Sequence, residues 1–167
     1  MEIDPATRRS LELSRTLTGE RRGSLLHAVD RTLTAAGGRL LGERLAAPLF
    51  DVAAIESRLD LVSWFLAEKS CGDKVRSQLR IQPDIERALS RLSLGHGGPR
   101  DLANIANGLD SAGEIAAQIK AFAAKGIGGL TLPDGLPDCL DMMLCPGGLS
   151  DELTPALGDE LPLLARD

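Results

Sequence analysis

Residues 32–62 read TLTAAGGRLLGERLAAPLFDVAAIESRLDLV, and this stretch decides the fold. Leu41 and Leu45 lie one helical turn apart, and Pro48 must end that helix because proline has no backbone N–H to donate. Asp51 then offers a side-chain cap to a second helix. The apolar residues of that second helix repeat at helical spacing: Val52, Ile55, Leu59, Val62 and Leu66. We therefore predict two amphipathic helices, near 35–46 and 52–67, that pack through aliphatic stripes and carry no reactive groups.

Helix signals continue toward the N-terminus. Asp4 is placed to cap a short helix that begins at Pro5 and ends at Ser10. Ser24 is placed to cap another short helix, for which we predict three buried residues: Leu25, Leu26 and Val29.

Helix signals also continue after residue 67. The predicted helices lie near 72–80, from Pro83 through Ile85, Leu89 and Leu92, from Pro99 through Leu102, Ile105 and Leu109, near 136–145, and near 150–158 after a Ser150 cap. A capping-box pattern over Ser111–Glu114 predicts a break in the chain at that point. A separate helix that buries Ile115, Ile119 and Phe122 is expected to follow it.

Composition favours helices as well. The chain has 30 leucines and 20 alanines against 4 valines and no tyrosine. Leu and Ala lose little side-chain entropy in a helix, so this bias favours an all-α fold. We predict a single helical domain over residues 1–167, built as an irregular bundle of about eight to nine helices. Within it, the Gly- and Pro-rich stretch 126–137 is predicted to be a flexible loop.

Several short motifs, taken in order, resemble one protein family. They are Asp4, Thr7, Leu11-Glu12-Leu13, Leu17-Thr18-Gly19, Gly23-Ser24-Leu25-Leu26, Asp30-Arg31-Thr32, Thr34, Gly37, Arg39, Leu41, Pro48-Leu49, Asp51, Ile55, Arg58, Leu59, Val62, Asp84-Ile85-Glu86-Arg87, Leu89, Arg91 and Pro99-Arg100-Asp101-Leu102. Their spacing resembles the start of the core domain, domain III, of the MutS family of DNA mismatch-repair ATPases. One departure is Arg44, where the family often has Trp; the arginine stem can cover the same surface while its charge reaches water.

The resemblance implies a lever-like structural segment that precedes the clamp insertion of that domain. In the parent protein it would link the mismatch-reading and clamp domains, which bind mismatched duplex DNA, to a C-terminal ATPase domain. ATP and Mg²⁺ would bind outside this segment, and the parent is expected to be a cytoplasmic homodimer. The partners of this chain would be the other domains of that protein. We expect those domains to cover the leucines at 161, 163 and 164.

Charge is distributed unevenly along a chain whose formal net charge is −5. Residues 1–50 carry eight arginines against six acidic residues, whereas residues 126–167 carry one against eight. Nucleic-acid-binding modules are usually basic overall, so we expect weak or no DNA binding by this chain alone. The first residues are charged rather than apolar, and no apolar run approaches the ~18 residues of a membrane span, so neither a signal peptide nor a membrane helix is predicted.

Glycine-rich strings, histidines and cysteines are weak candidates for chemistry. The glycine-rich strings, Gly19-Glu-Arg-Arg-Gly23-Ser24 and Gly126-Ile-Gly128-Gly129, lack the lysine and the preceding strand of a phosphate loop. His27 and His96 are the only histidines, and no ligand spacing surrounds either. Three cysteines without C-x-x-C spacing indicate reduced thiols: Cys71, Cys139 and Cys145.

Acidic pairs and an arginine cluster are the remaining candidates. The acidic pairs, Asp138 with Asp141 and Asp151 with Glu152, are more simply solvated charges near helix N-termini. The cluster of Arg8, Arg9, Arg15, Arg21 and Arg22 can approach a phosphate backbone, pair with acids of a neighbouring domain or stay solvated. The last two alternatives are favoured. Gly37 and Gly38 are interpreted as positions of close helix approach.

We therefore predict no catalytic, cofactor-binding or metal-binding residue, and a non-enzymatic role. The first hypothesis is a structural, lever-type segment of a mismatch-repair ATPase. A free-standing helical adaptor that binds partner proteins through its apolar C-terminal end is the alternative. A small helical enzyme that uses the acidic tail is the third hypothesis, and catalysis abolished by Asp138→Asn would favour it.

Overall fold

The structure is a computed structural model that describes residues 3–125, 131–144 and 148–157. Every regular element in these ranges is an α-helix, which confirms the predicted all-α class. The nine described helices are α1 (Pro5–Ser10), α2 (Leu25–Val29), α3 (Ala35–Ala46), α4 (Val52–Ala67), α5 (Lys69–Leu79), α6 (Ile85–Ser93), α7 (Pro99–Ala124), α8 (Leu136–Met143) and α9 (Leu149–Ala156). In the described ranges, none of these helices is both long and apolar enough to cross a bilayer.

The chain divides into two compact units, Met1–Leu59 and Asp60–Asp167, with the boundary inside α4. The prediction of one domain over residues 1–167 stays a prediction. The predicted flexible loop over 126–137 lies partly outside the described residues, and α8 already begins at Leu136.

Side-chain caps start the helices of the first unit as predicted. Asp4 Oδ1 accepts a hydrogen bond from Thr7 N at 2.9 Å at the start of α1, and Ser24 Oγ accepts one from His27 N at 3.2 Å at the start of α2. These caps satisfy backbone donors that the first helical turn leaves without partners. Asp51 likewise caps α4, with Oδ1 2.8 Å from Ala54 N.

The short helix α2 buries less than its sequence predicts. Leu26 is buried and packs toward Gly42 of α3, but Leu25 and Val29 are exposed. The prediction that all three are buried was wrong for these two. A five-residue helix has little more than one turn, so only one of its faces can contact α3.

The two glycines at the start of α3 accommodate threonines rather than a neighbouring helix. A Cβ atom on Gly37 would lie 2.9 Å from Thr34 Oγ1, and one on Gly38 would lie 3.3 Å from Thr32 Oγ1. Thr34 Oγ1 is the N-cap that accepts a hydrogen bond from Gly37 N at 3.0 Å. The interpretation of these glycines as sites of helix approach was therefore wrong, because the nearest atoms belong to Thr32 and to the N-cap Thr34, which precede α3.

The core of the second unit forms around α7, which packs against α5, α6, α8 and α9. Its buried cluster consists of Trp64, Cys71, Ile115, Ala116, Ile119, Leu136 and Leu140. Trp64 meets Phe65 edge to face, with ring centroids 4.9 Å apart. The core is mainly aliphatic, as the low aromatic content predicts.

The break predicted at Ser111–Glu114 does not exist, because α7 continues from Pro99 to Ala124. Buried residues lie on both sides of that point, with Ile105 and Gly108 before it and Ile115 and Ile119 after it. A single continuous helix keeps both groups on the core, and this packing outweighs a local capping pattern.

The stripe predicted to pack α4 is largely exposed. Val52, Leu59, Val62 and Leu66 each have more than half of their surface accessible, and Ile55 is half-buried. The buried residue of this helix is Trp64, with Leu61 and Phe65 partly buried beside it. The apolar periodicity predicted the helix α4 correctly, but it did not identify which face of α4 is buried.

Three further helices differ from their predicted limits. α5 begins at Lys69 rather than near 72, and α8 ends at Met143 rather than near 145. α9 begins at Leu149, with Gly148 as its N-cap at φ 64°, so Ser150 lies inside the helix and does not cap it.

Candidate functional site

The loop between α1 and α2 is held in a defined shape by its own hydrogen bonds. Glu12 accepts through its side chain from Leu17 N at 2.7 Å, and its carbonyl accepts from Leu25 N at 3.0 Å. Thr16 N donates to the carbonyl of Glu20 at 2.8 Å, which closes a turn that contains Gly19 at φ 88°. These hydrogen bonds therefore hold the loop backbone in place, and with it the points from which the loop side chains extend.

Three of the five clustered arginines come together on this loop and α1. Arg8, Arg9 and Arg15 line a cavity of about 530 Å³, which we call the arginine cavity. Its other lining residues are Pro5, Ser14, Thr16, Leu17, Thr18 and Gly19, so no carboxylate lines it. The arginine cavity is thus basic and rich in hydroxyl groups.

The three guanidinium groups differ in their contacts. Arg15 Nη1 donates to the carbonyl of Gly19 at 2.9 Å, which holds its side chain over the loop. Arg8 is half-buried, and its buried Nε makes no hydrogen bond to any residue the structure describes. Arg9 is exposed at the cavity. The buried Nε of Arg8 is therefore a donor without a partner among the described residues, and such a donor costs free energy.

The other two clustered arginines do not line the arginine cavity. Arg21 Nη2 lies 2.6 Å from Asp30 Oδ2 in an ion pair, and Arg22 is exposed. Hydrogen bonds from Thr32, together with Arg21, hold the pKa of Asp30 below its usual value. The five arginines that are close in sequence are therefore separated in the structure: three line the arginine cavity, and Arg21 and Arg22 do not.

The acids nearest to α1 are already engaged. Asp4 accepts hydrogen bonds from both the backbone and the hydroxyl of Thr7, and these bonds lower the pKa of Asp4. Glu12 accepts from the backbone of Leu17. These contacts leave the charges of the arginine cavity without a compensating carboxylate among its lining residues.

The predicted weak candidates do not form a reactive centre in the described part of the chain. His27 lies on α2 and His96 in the turn before α7, and both are exposed. Across residues 3–125, 131–144 and 148–157, no group of three or more His, Cys, Asp or Glu side chains is arranged to hold a metal ion.

The two glycine-rich strings also fail to form a described phosphate loop. Gly19 and Gly23 have positive φ angles and shape turns before the five-residue helix α2. The string at 126–129 lies outside the described residues.

The acidic pairs lie at the surface. Asp141 makes an ion pair with Lys120, at 2.6 Å between Oδ1 and Nζ, and Asp138 is exposed. Asp151 and Glu152 are exposed in the first turn of α9. Their negative charges interact favourably with the positive N-terminal end of the helix dipole. Neither pair is enclosed in a cleft, because all four side chains are exposed.

Two of the three thiols are described, and they differ sharply. Cys71 is fully buried in the core, where burial, aided by Glu68, raises its thiol pKa. Cys139 is exposed, and both are free thiols. Cys145 lies outside the described residues.

Sequence reasoning missed an ion pair between α6 and α7 in which the carboxylate is buried and the guanidinium is half-exposed. Asp101 is 7% exposed, and its carboxylate accepts hydrogen bonds from the guanidinium of Arg91, with 2.9 Å from Nε to Oδ1. The second oxygen accepts from Gly98 N at 3.1 Å. Arg91 is the main cause of the lowered pKa of Asp101. The available signal was Asp101 itself, an acid at the third position of α7, where its carboxylate can accept from the backbone N–H of the N-cap Gly98.

An apolar surface groove lies between α4 and α5. It has a volume of about 560 Å³ and is lined by Leu61, Val62, Phe65, Leu66, Lys69, Gly72, Asp73, Val75 and Arg76. We call it the α4–α5 groove. Val62 is 54% and Leu66 74% exposed, although both are large and apolar. Side chains of this kind at helical spacing are typical of a surface that contacts another protein segment.

Comparison with known proteins gives a consistent result. Residues 6–166 match the family model of MutS domain III. The chain is 52% identical over 168 aligned positions to the DNA mismatch repair protein MutS of Rhodopseudomonas palustris (strain BisB5), and 50% identical to that of Nitrobacter winogradskyi. Each alignment covers 100% of this chain but only 17% and 18% of these relatives.

Proposed function

Because the chain belongs to the MutS domain III family, we propose that it is a structural segment that transmits conformational change within a longer mismatch-repair protein. The observation that carries this proposal is the α4–α5 groove with its exposed leucine and valine side chains. In our proposal, another segment of the longer protein covers this groove. The stripe that α4 leaves exposed would then be buried as its periodicity predicts.

The surrounding architecture supports a load-transmitting role. α7 has 26 residues and passes through the core, so it is about 39 Å long at the standard rise per residue. The partly buried Arg91–Asp101 pair connects its N-terminal end to α6. Rigid secondary-structure elements are among the structures that carry energetic coupling between distant sites.

The finer roles are part of the same proposal. The chain would link the DNA-binding domains of the parent to its ATPase domain, while ATP, Mg²⁺ and mismatched DNA bind elsewhere. The parent would be a homodimer in the cytoplasm, and this segment would catalyse no reaction. The adaptor alternative is not favoured, since the match to MutS domain III covers residues 6–166.

The α4–α5 groove can be tested in the longer protein with Val62→Ser combined with Leu66→Ser. We expect this variant to reduce the stimulation of ATP hydrolysis by mismatched DNA, because a partner segment would lose its apolar contact. In the 167-residue chain the same changes should alter the free energy of unfolding by less than about 0.5 kcal/mol per site, since both side chains are exposed.

Ile81→Ser is the matched control, because Ile81 is 81% exposed and does not line the groove. Stimulation equal to that of Ile81→Ser would contradict the proposal.

A further inference from the structure

The arginine cavity has a chemistry that the proposed structural role does not use. We propose that it binds a phosphate group, with Arg8, Arg9 and Arg15 as the cationic donors. This inference is independent of the α4–α5 groove. It concerns only residues of the first unit.

The arginines provide the first argument. A guanidinium is always charged at physiological pH and presents five N–H donors, but it has no acceptor of its own. Three such groups line one cavity, and no carboxylate lies among the lining residues to balance them. A bound anion would reduce the mutual repulsion of these charges and accept hydrogen bonds from their guanidinium N–H groups.

The hydroxyl groups provide the second argument, which concerns the type of anion. Ser14, Thr16 and Thr18 line the same cavity, and the hydroxyls of Thr16 and Thr18 lie 2.8 Å apart. A phosphate group offers more than one negative charge and several strong acceptor oxygens. A single carboxylate would balance only one of the three guanidinium charges. The combination of Arg with Ser and Thr donors is typical of phosphate contacts.

The fixed backbone provides the third argument. The bond from Arg15 to the Gly19 carbonyl and the turn closed by Thr16 and Glu20 hold one side of the cavity in place before any ligand binds. Donors that are already positioned lose less entropy when a ligand binds. The phosphate can belong to a free phosphorylated compound or to a nucleic-acid backbone, and these two sources share the same chemistry.

The test is an NMR titration of the 167-residue chain at low ionic strength with inorganic phosphate, pyrophosphate, citrate and a short duplex DNA. The backbone amides of Thr16, Thr18 and Gly19 report the cavity in every variant. We expect saturable shifts with pyrophosphate, weaker ones with phosphate and the weakest with citrate. Competition of the duplex for the same shifts would assign the phosphate to a nucleic-acid backbone. Without that competition, it would be assigned to a free compound.

Three variants make the titration decisive. Arg8→Gln should weaken pyrophosphate binding by about tenfold or more, since a charge-assisted hydrogen bond contributes that much to affinity. Arg9→Gln should also weaken pyrophosphate binding, and it should leave folding intact because Arg9 is exposed. Arg22→Gln removes the same charge outside the cavity and should change the dissociation constant by less than about twofold.

Three results would overturn the inference. They are the absence of saturable shifts with any phosphate compound, an equal loss of affinity in Arg9→Gln and Arg22→Gln, and a preference for citrate over pyrophosphate. The thermal midpoint of each variant, measured by circular dichroism, identifies any loss of binding that comes from unfolding.

Discussion

Individual residues show where local rules determine the structure and where they do not. Asp4, Ser24 and Asp51 cap their helices as the sequence predicts, because a cap depends only on the next few backbone donors. The Arg91–Asp101 pair could not be derived in this way, since its partners are ten positions apart on different helices. The grouping of Arg8, Arg9 and Arg15 away from Arg21 and Arg22 likewise depends on the path of the loop.

Asp101 should make stability depend on acid pH. Its pKa is lower in the folded chain than the ordinary value of about 3.9, so its stabilising contribution is complete above that value and is lost as the pH falls through the folded pKa. Urea unfolding between pH 7 and pH 3 measures this loss. Asp101→Asn should be less stable than the unmodified chain at pH 7, and the difference should shrink below about pH 4.

The control for this experiment is Asp110→Asn, because Asp110 is exposed and lies on the same helix. Identical pH profiles for Asp101→Asn and Asp110→Asn would contradict the role of the Arg91–Asp101 pair.

The described cysteines should differ in reactivity. Burial excludes reagents from Cys71 and raises its thiol pKa, whereas Cys139 is exposed. In a Cys145→Ser variant, an aromatic disulfide reagent should label Cys139 rapidly and Cys71 only after unfolding. Rapid labelling of Cys71 in a Cys139→Ser, Cys145→Ser variant would show that the core around it is open.

Helices show how far periodicity predicts structure. The existence of α3, α4 and α6 follows from apolar spacing, with Asp51 as the predicted cap of α4. The limits of α3 and α4 agree with prediction, whereas α6 begins at Ile85 rather than at Pro83. The continuity of α7 does not follow, because the Ser111–Glu114 pattern is typical of a helix start and only the buried residues on both sides of it favour one helix. The buried face of α4 could not be predicted either, since apolar residues occur on more than one side of it.

Two glycines on α7 provide a matched test of helix packing. A Cβ atom on Gly108 would lie 2.5 Å from Ile85 Cγ1, whereas one on Gly113 would meet no described atom within 4 Å. Both alanine variants gain about 1 kcal/mol of helix propensity. Gly108→Ala should nevertheless lose about 1–3 kcal/mol to overpacking and end less stable than Gly113→Ala.

Chemical denaturation measures both free energies of unfolding. A Gly108→Ala variant as stable as Gly113→Ala would show that α6 and α7 are not in close contact. A Gly113→Ala variant that is strongly destabilised would contradict a continuous α7.

The whole molecule combines a helical core with surfaces that remain apolar and exposed. Fold class and family follow from the sequence, because composition, caps and motif order all indicate the same structure. The chain spans 17–18% of the length of the relatives compared here. Exposed side chains such as Leu66 therefore have a simple explanation in a longer protein, where another segment would cover them.

Duplex DNA binding by the chain alone should be weak and should not distinguish a mismatch. The formal net charge of −5 opposes binding to a polyanion, although the arginine cavity can contribute one local contact. Fluorescence anisotropy with matched and mismatched duplexes measures both properties. A mismatch preference that survives ~200 mM salt would place recognition within this segment.

The most direct test of the structural role is cysteine labelling at position 66. Leu66→Cys, in a chain whose Cys139 and Cys145 are serine, should react rapidly with a maleimide reagent in the 167-residue chain, because this position is 74% exposed. In the longer protein, the same position should react at least about tenfold more slowly, since covering the groove leaves only a minor open population. Equal labelling rates in the two proteins would contradict the claim that the α4–α5 groove is an internal contact surface.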